Sequence, residues 1–260
     1  MFDPFSLRPT ADVQPPAFHL FNGQGKARAL LICDHASNAL PRGYGTLGID
    51  PDKMFEHIAW DVGAAAVTRH LAQILDAPAI LGGTSRLFVD LNRYPDDPTA
   101  IAAFSDGTKV IGNADLSEAE QAHRLSWHSQ YHNEVERQVH RLTAETQPPL
   151  LFIHSFTPII RDTRRPWHLG VLHDHQSPES DRLLEVLRRN CNITVGDNQP
   201  YAVNEPRSYS IYHHGISAGR PYVALEIRQD LIETEAGAEE WAVLIGDAFR
   251  EMLEPLGVVP

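Results

Sequence analysis

The chain has 260 residues, 42% of them hydrophobic, which suits one large α/β domain with an ample core. Its formal net charge of −12 argues against a nucleic-acid or anionic-membrane binder, because phosphate contacts need a basic footprint. Two cysteines, Cys33 and Cys191, are too few for a disulfide framework or a Cys-rich zinc motif. A cytoplasmic protein is expected, since Met1-Phe2-Asp3-Pro4-Phe5 shows no signal-peptide pattern and no run reaches the roughly 20 apolar residues of a membrane span.

Residues 1–26, with prolines at 4, 9, 15 and 16, read as a leader. The run 27–34 predicts a strand buried on both faces, followed by a Gly/Pro-rich loop. Helical spacing of Ile58, Val62, Ala65 or Ala66 and Leu71 predicts a helix over about 58–76, stopped by Pro78. Residues 87–91, Leu-Phe-Val-Asp-Leu, read as a strand, and 94–113 as an irregular segment. Ser117-Glu118-Ala119-Glu120 is a capping box that opens a long helix to about 144. Strands are predicted at 149–154, 168–172 and 221–227, and helices at about 177–190 and 236–254. Strands alternating with helices, without a repeat or a clear linker, point to one three-layer α/β/α domain over 27–260. The long loops at 35–57, 94–116, 155–167 and 196–220 are candidate walls or lids of a site.

Several apolar runs stop at side chains that can bind metal or move protons. The first ends in Cys33-Asp34-His35-Ala36-Ser37-Asn38, and the run Leu150–Ile153 ends in His154-Ser155. Strand ends of an α/β sheet are where ligand crevices form, and two strand-end imidazoles begin a metal site. Such a His can equally cap its strand by hydrogen bonding. A catalytic zinc takes three protein ligands. Asp61, at the start of a helix, and Asn38, three residues after His35, are the two candidates for the third. At the end of the 87–91 run, Arg93 offers a fork for a carboxylate and Asn92 an amide, with Arg86 at the run's other end. Any of these arginines can instead form a surface ion pair. Glu226 interrupts a run that should be buried, where a carboxylate is paired, metal-bound or raised in pKa towards a general acid/base role.

Other polar groups are ambiguous. The cluster Arg161, Arg164, Arg165, Trp167 and His168 can gate an anion or be a solvated loop, as can Asn204–Tyr209 and His213-His214-Gly215. Of 14 histidines, His19, His70, His123, His128, His132 and His140 lie in the leader or in helix-like stretches and read as surface or capping groups.

Six motifs in order resemble the N-formylglutamate amidohydrolase family: Cys33–Asn38, His57–Ala64, Ser85-Arg86 with Asp90–Arg93, Ile153–Pro158, Arg165–His168 and Leu225–Ile232. The resemblance spans roughly residues 27–235. A more distant likeness is to aspartoacylases, succinylglutamate desuccinylases and zinc carboxypeptidases. Asp90-Leu91-Asn92-Arg93 matches their Asp-Leu-Asn-Arg motif, and Glu226 with Gln229 their late Glu and Gln. Asn38 stands where their first motif has a Glu ligand, so Asp61 is taken as its replacement.

The resemblance implies a zinc-carboxypeptidase-like fold with a mixed, mostly parallel sheet. It implies hydrolysis of an N-formyl or other N-acyl acidic amino acid with Zn2+ or another divalent metal. His35, Asp61 and His154 would be the ligands, and Glu226 and Arg86 the catalytic residues. Asn92, Arg93, Asn38 and Arg165 would hold a small anionic substrate. A metallohydrolase of the same scaffold acting on another acyl or peptide substrate, and a non-catalytic binder of acidic metabolites, remain as alternatives.

Overall fold

The computed structural model describes residues 14–143, 147–174, 177–203 and 207–254. In chain order its strands are β1 (Phe18–Phe21), β2 (Leu30–Cys33), β3 (Ala79–Gly82), β4 (Phe104–Ser105), β5 (Thr108–Lys109), β6 (Leu150–Phe156), β7 (Ile159–Ile160), β8 (Thr163–Arg164), β9 (Leu169–Leu172), β10 (Val195–Asp197) and β11 (Tyr222–Arg228). The helices are α1 (Ala64–Ile74), α2 (Glu118–Leu142), α3 (Pro178–Arg188) and α4 (Glu235–Leu253). Seven strands form one sheet in the order β1-β3-β2-β6-β11-β9-β10, while β4-β5 and β7-β8 are separate hairpins. Strands β3, β2, β6 and β11 run parallel. Strand β9 turns antiparallel to β11 with β10 parallel beside it, and β1 is antiparallel to β3.

Alternation along the strands divides the core. Leu31, Leu151, Ile153, Val223 and Leu225 face one layer with α1, α3 and α4. Leu30, Ile32, Leu150, Phe152 and Ala224 face the other, against Trp127, Tyr131, Val135 and Val139 of α2. Both faces of the central strands are therefore buried, as their unbroken apolar composition requires. Each fully buried Leu, Ile or Val contributes about 1.5–3 kcal/mol. In α2 the predicted cap is present: the Ser117 hydroxyl accepts from the Glu120 amide at 3.2 Å.

Three expectations need correction. Helix α1 begins at Ala64 rather than about 58, because Gly63 sits at φ +79 and interrupts helical geometry there. A side chain at Gly63 would also strike the Ile232 carbonyl, 2.2 Å from an added Cβ, so only glycine lets α1 approach that turn. The leader is not separate from the domain: β1, within 1–26, pairs with β3, while residues 1–13 lie outside the described residues. Residues 87–91 are not a strand. Both Phe88 and Val89 donate backbone N–H to the Ser85 carbonyl, and the Leu87 amide donates to the Ser85 hydroxyl. Turn chemistry at Ser85 prevails over the β-propensity of Leu-Phe-Val, which is buried all the same. The strand in this region is β3, four residues between Pro78 and Gly83; it and β10 carried no expectation.

Candidate metal centre and its cleft

β2 hands its chain directly to Asp34 and His35, at the carboxyl end of a central parallel strand. One strand over, His154 lies on the α2 side of β6, and its register partner on β11 is Glu226. Asp61 is drawn in from the segment before α1 by its backbone amide, which donates to the His35 carbonyl at 2.9 Å. Its Oδ2 then lies 2.9 Å from His154 Nδ1 and 3.4 Å from His35 Nδ1. These three ligand atoms fall within 4.8 Å of one another, and all three residues are buried.

The opposite ring nitrogens are also met by carboxylates. His35 Nε2 is 2.7 Å from Asp90 Oδ1, and His154 Nε2 is 3.4 Å from Asp34 Oδ2. The second contact is close enough for an ion pair but is not aligned as a hydrogen bond, and both of its atoms are buried without a partner. A neutral imidazole has one N–H, so it cannot donate to acceptors on both sides. Two nitrogens and one carboxylate oxygen converging on one point, each imidazole backed by a carboxylate, is a donor set that fits a divalent cation.

The charges agree. Asp61, Asp90 and Glu226 all face the guanidinium of Arg86, and Asp90 also feels the charge of Arg93. Burial opposes ionisation of Asp61, but the charge of His35 and the hydrogen bond from His154 outweigh it and hold its carboxyl far below the ordinary range. Asp90 is lowered in the same way, burial being overcome by the charges of His35 and Arg86. Burial and then repulsion by the positive charge of Arg86 work against protonation of His35, yet Asp90 and Asp61 raise its pKa. Glu226 is different: burial pushes its pKa up to about 7, against the opposing charge of His154. Its Oε2 is buried without a partner. A carboxyl so placed can exchange a proton near neutral pH.

These groups form the floor of a cleft of about 300 Å³. Arg86 borders it while bridging two carboxylates: NH1 donates to Asp61 at 3.2 Å, and Nε and NH2 to Asp90 at 3.3 and 3.1 Å. Asn92 and Arg93 form one wall. Asn92 accepts from the Ser210 amide at 3.0 Å, and Arg93 NH1 donates to the carbonyls of Asn92 and Arg207 at 3.0 and 2.9 Å.

Two expected substrate residues are not brought to the cleft. Asn38 spends its amide on the Met54 carbonyl at 2.9 Å, fastening the 3-10 turn Pro51–Phe55, and does not line the cleft. Arg165 is buried and does not itself line the cleft; its guanidinium lies over the rings of Phe156 and Tyr201 and donates to Thr157 at 3.3 Å, three residues that do. The cleft also gains Tyr201 and His57, which carried no expected role there, and Arg207, from the Asn204–Tyr209 segment that was ambiguous between anion gate and solvated loop. Arg207 and Tyr201 sit in irregular chain, where no periodicity marks a side chain's direction. Asp34 could have been noticed, being a charged residue directly after a fully buried strand.

A second imidazole cluster lies between α2 and the six-residue π-helical turn Ile211–Ile216. His132 Nε2 meets the Leu91 carbonyl and its Nδ1 meets His214 Nε2, both at 2.8 Å. His214 Nδ1 meets Glu136 at 2.7 Å, and Arg220 donates to both oxygens of that carboxylate at 2.8 and 2.9 Å. His128 and His132 are therefore buried groups rather than surface ones: burial on one face of α2 outweighs their polarity because each finds a backbone carbonyl.

A sequence model of the N-formylglutamate amidohydrolase family matches residues 27–233. Among solved structures, a gene product from Agrobacterium tumefaciens is 33% identical and superposes with a TM-score of 0.88, over 93% of this chain and 96% of its own. An N-formylglutamate amidohydrolase from Ralstonia eutropha is 20% identical with a TM-score of 0.62, over 93% and 98%. No curated protein matches the chain significantly.

Proposed function

Since this chain belongs to the N-formylglutamate amidohydrolase family, we propose that its cleft hydrolyses the amide of an N-formyl, or another N-acyl, acidic amino acid with the help of a divalent cation. The observation that carries this reading is the convergence of His35 Nδ1, Asp61 Oδ2 and His154 Nδ1 beside the unpartnered carboxyl of Glu226. His35, Asp61 and His154 would hold the ion, and two imidazoles with a carboxylate suit zinc while tolerating other divalent metals. When bound, such an ion supplies Lewis acidity for an acyl carbonyl and for water.

The protein's own groups do the rest. Glu226 takes the proton of the attacking water and delivers it to the departing nitrogen, a task matched to a carboxyl whose pKa is near 7. Arg86 keeps Asp61 and Asp90 in place. It has five N–H groups and these contacts use three, so it can also donate to the developing oxyanion. Asn92 and Arg93, joined at the rim by Arg207, orient the substrate carboxylates. Local cations are needed because the net charge of −12 repels an anionic substrate at long range. No helix among the described residues is long and apolar enough to cross a membrane.

The test is formate release from N-formyl-L-glutamate by purified protein, before and after chelation and after zinc is restored. Chelator-sensitive, zinc-restored release is expected. Zinc-loaded protein that releases no formate but cleaves N-acetyl or N-succinyl analogues would move the acyl group. Inactivity on all three would sink the hydrolase reading.

A further inference from the structure

The ligand cluster and the cleft make no use of Asp34, which is 1% exposed and directly precedes a proposed ligand. Its Oδ1 accepts two hydroxyl hydrogen bonds, from Tyr131 of α2 at 2.9 Å and from Ser210 at 2.8 Å. Tyr131 and Ser210 are both fully buried and come from different elements, the second capping the π-helical turn. Two donors from two directions prevent the carboxylate from rotating. Its backbone is also confined: a Cβ on Gly82 would come within 2.1 Å of the Asp34 carbonyl. The remaining oxygen, Oδ2, is left 3.4 Å from His154 Nε2, within ion-pair distance, and neither atom has a hydrogen-bond partner.

We propose that Asp34, braced by Tyr131 and Ser210, is a positioning residue that fixes the tautomer of His154. A proton on Nε2 satisfies both unpartnered atoms at once. A neutral imidazole then has its lone pair on Nδ1, the nitrogen that points towards Asp61 and His35. The carboxylate thus decides which nitrogen of His154 is available to an ion. This rests on the metal reading above.

An isosteric change exposes the role. In Asp34→Asn, the amide oxygen keeps the hydrogen bonds from Tyr131 and Ser210. Its NH2 must then face His154 Nε2, which asks for a lone pair there and places the proton on Nδ1, where it blocks the ion. Zinc affinity, measured by competition with a chromophoric chelator, should fall on the order of 10–100-fold. Tyr131→Phe with Ser210→Ala frees the carboxylate to rotate and should cause a smaller loss.

The direct readout is 15N NMR of histidine-labelled, zinc-loaded wild-type protein, with His154 identified by its loss in His154→Ala. Nε2 should carry the proton and Nδ1 the metal. This needs no Asp34 variant, so it decides the matter even if Asp34→Asn fails to fold. Metal on Nε2, or wild-type zinc affinity in a folded Asp34→Asn protein, overturns the proposal and leaves the metal reading standing. Wild-type protein that takes up no divalent ion overturns both.

Discussion

Two clusters in this protein each combine two imidazoles with a carboxylate, yet they are built for opposite purposes. At the cleft, Asp61 lies between His35 and His154, and all three point one donor atom at a common point. Under α2, His132, His214 and Glu136 stand in series, so their donors are consumed by one another and by the Leu91 carbonyl. The charge balance differs as well. In the cleft Arg86 bridges Asp61 and Asp90 while Glu226 Oε2 is left without a partner, whereas Arg220 already neutralises Glu136 with two hydrogen bonds. Glu136, His213 and His214 also bring ligand atoms within 4.8 Å, so proximity alone does not separate the two. What separates them is whether positive charge is already supplied. A cation site is an electrostatic deficit that the protein leaves open; a structural ladder is one that it closes.

The largest effects should fall on the cleft. His35→Ala should abolish stoichiometric zinc uptake and formate release together, read by metal analysis and by activity. Glu226→Gln should keep its zinc and lose turnover by about 10²–10⁴-fold; turnover near wild type would remove Glu226 from the chemistry. His214→Ala should do the reverse. Zinc content should stay unchanged while stability drops by about 1–3 kcal/mol, because buried partners lose their hydrogen bonds. Loss of zinc in His214→Ala would break the comparison.

The two clusters should also titrate with opposite sign. In zinc-stripped protein the Glu226 carboxyl is raised from 4.5 to about 7, so the folded state binds a proton that the unfolded state has released. Stability should therefore fall as pH rises from about 4.5 to about 7, by roughly 1–3 kcal/mol, and Glu226→Gln should flatten that slope in urea unfolding. Glu136 is held far below the usual carboxylate range, first by its bond with His214 and then by Arg220 acting against burial. Its contribution is complete above the ordinary value of 4.5 and is lost as pH falls below it, a dependence that Glu136→Gln should remove. The smallest effect belongs to Asn38→Ala, which should cost about 1 kcal/mol at the Met54 turn and leave zinc content untouched.

Those parts of the molecule that obey a simple period were legible in the sequence. Strands β2, β6 and β11 are apolar on both faces, so their runs and the polar groups that end them stand out, and His35, His154 and Glu226 come with them. Asp61 was one of two candidates that sequence position offered, at the start of a helix near the first strand, with Asn38 the other. Segment 86–90 was not legible as a turn. A strand rising about 3.3 Å per residue would hold positions 86 and 90 roughly 13 Å apart. The turn at Ser85 instead folds them into an ion pair of 3.1 Å that borders the cleft. Tyr201 was invisible, and Arg207 stayed ambiguous, for a related reason: their direction is set by loop geometry, which leaves no trace in residue spacing. Arg165 misled in the other direction, because a guanidinium in a polar loop looks solvent-facing although aromatic rings can bury it.

Among the described residues strand β11 is the last in chain order, yet it lies between β6 and β9, inside the sheet. On the ribosome, everything before Tyr222 emerges with β6 open along one edge and with β9 and β10 detached from the rest. Unpaired edges of this kind invite pairing with other chains while they persist. The segment that closes the gap also carries Glu226, five positions into its own seven residues. The segment that completes the sheet and the carboxyl proposed for proton transfer therefore leave the ribosome together.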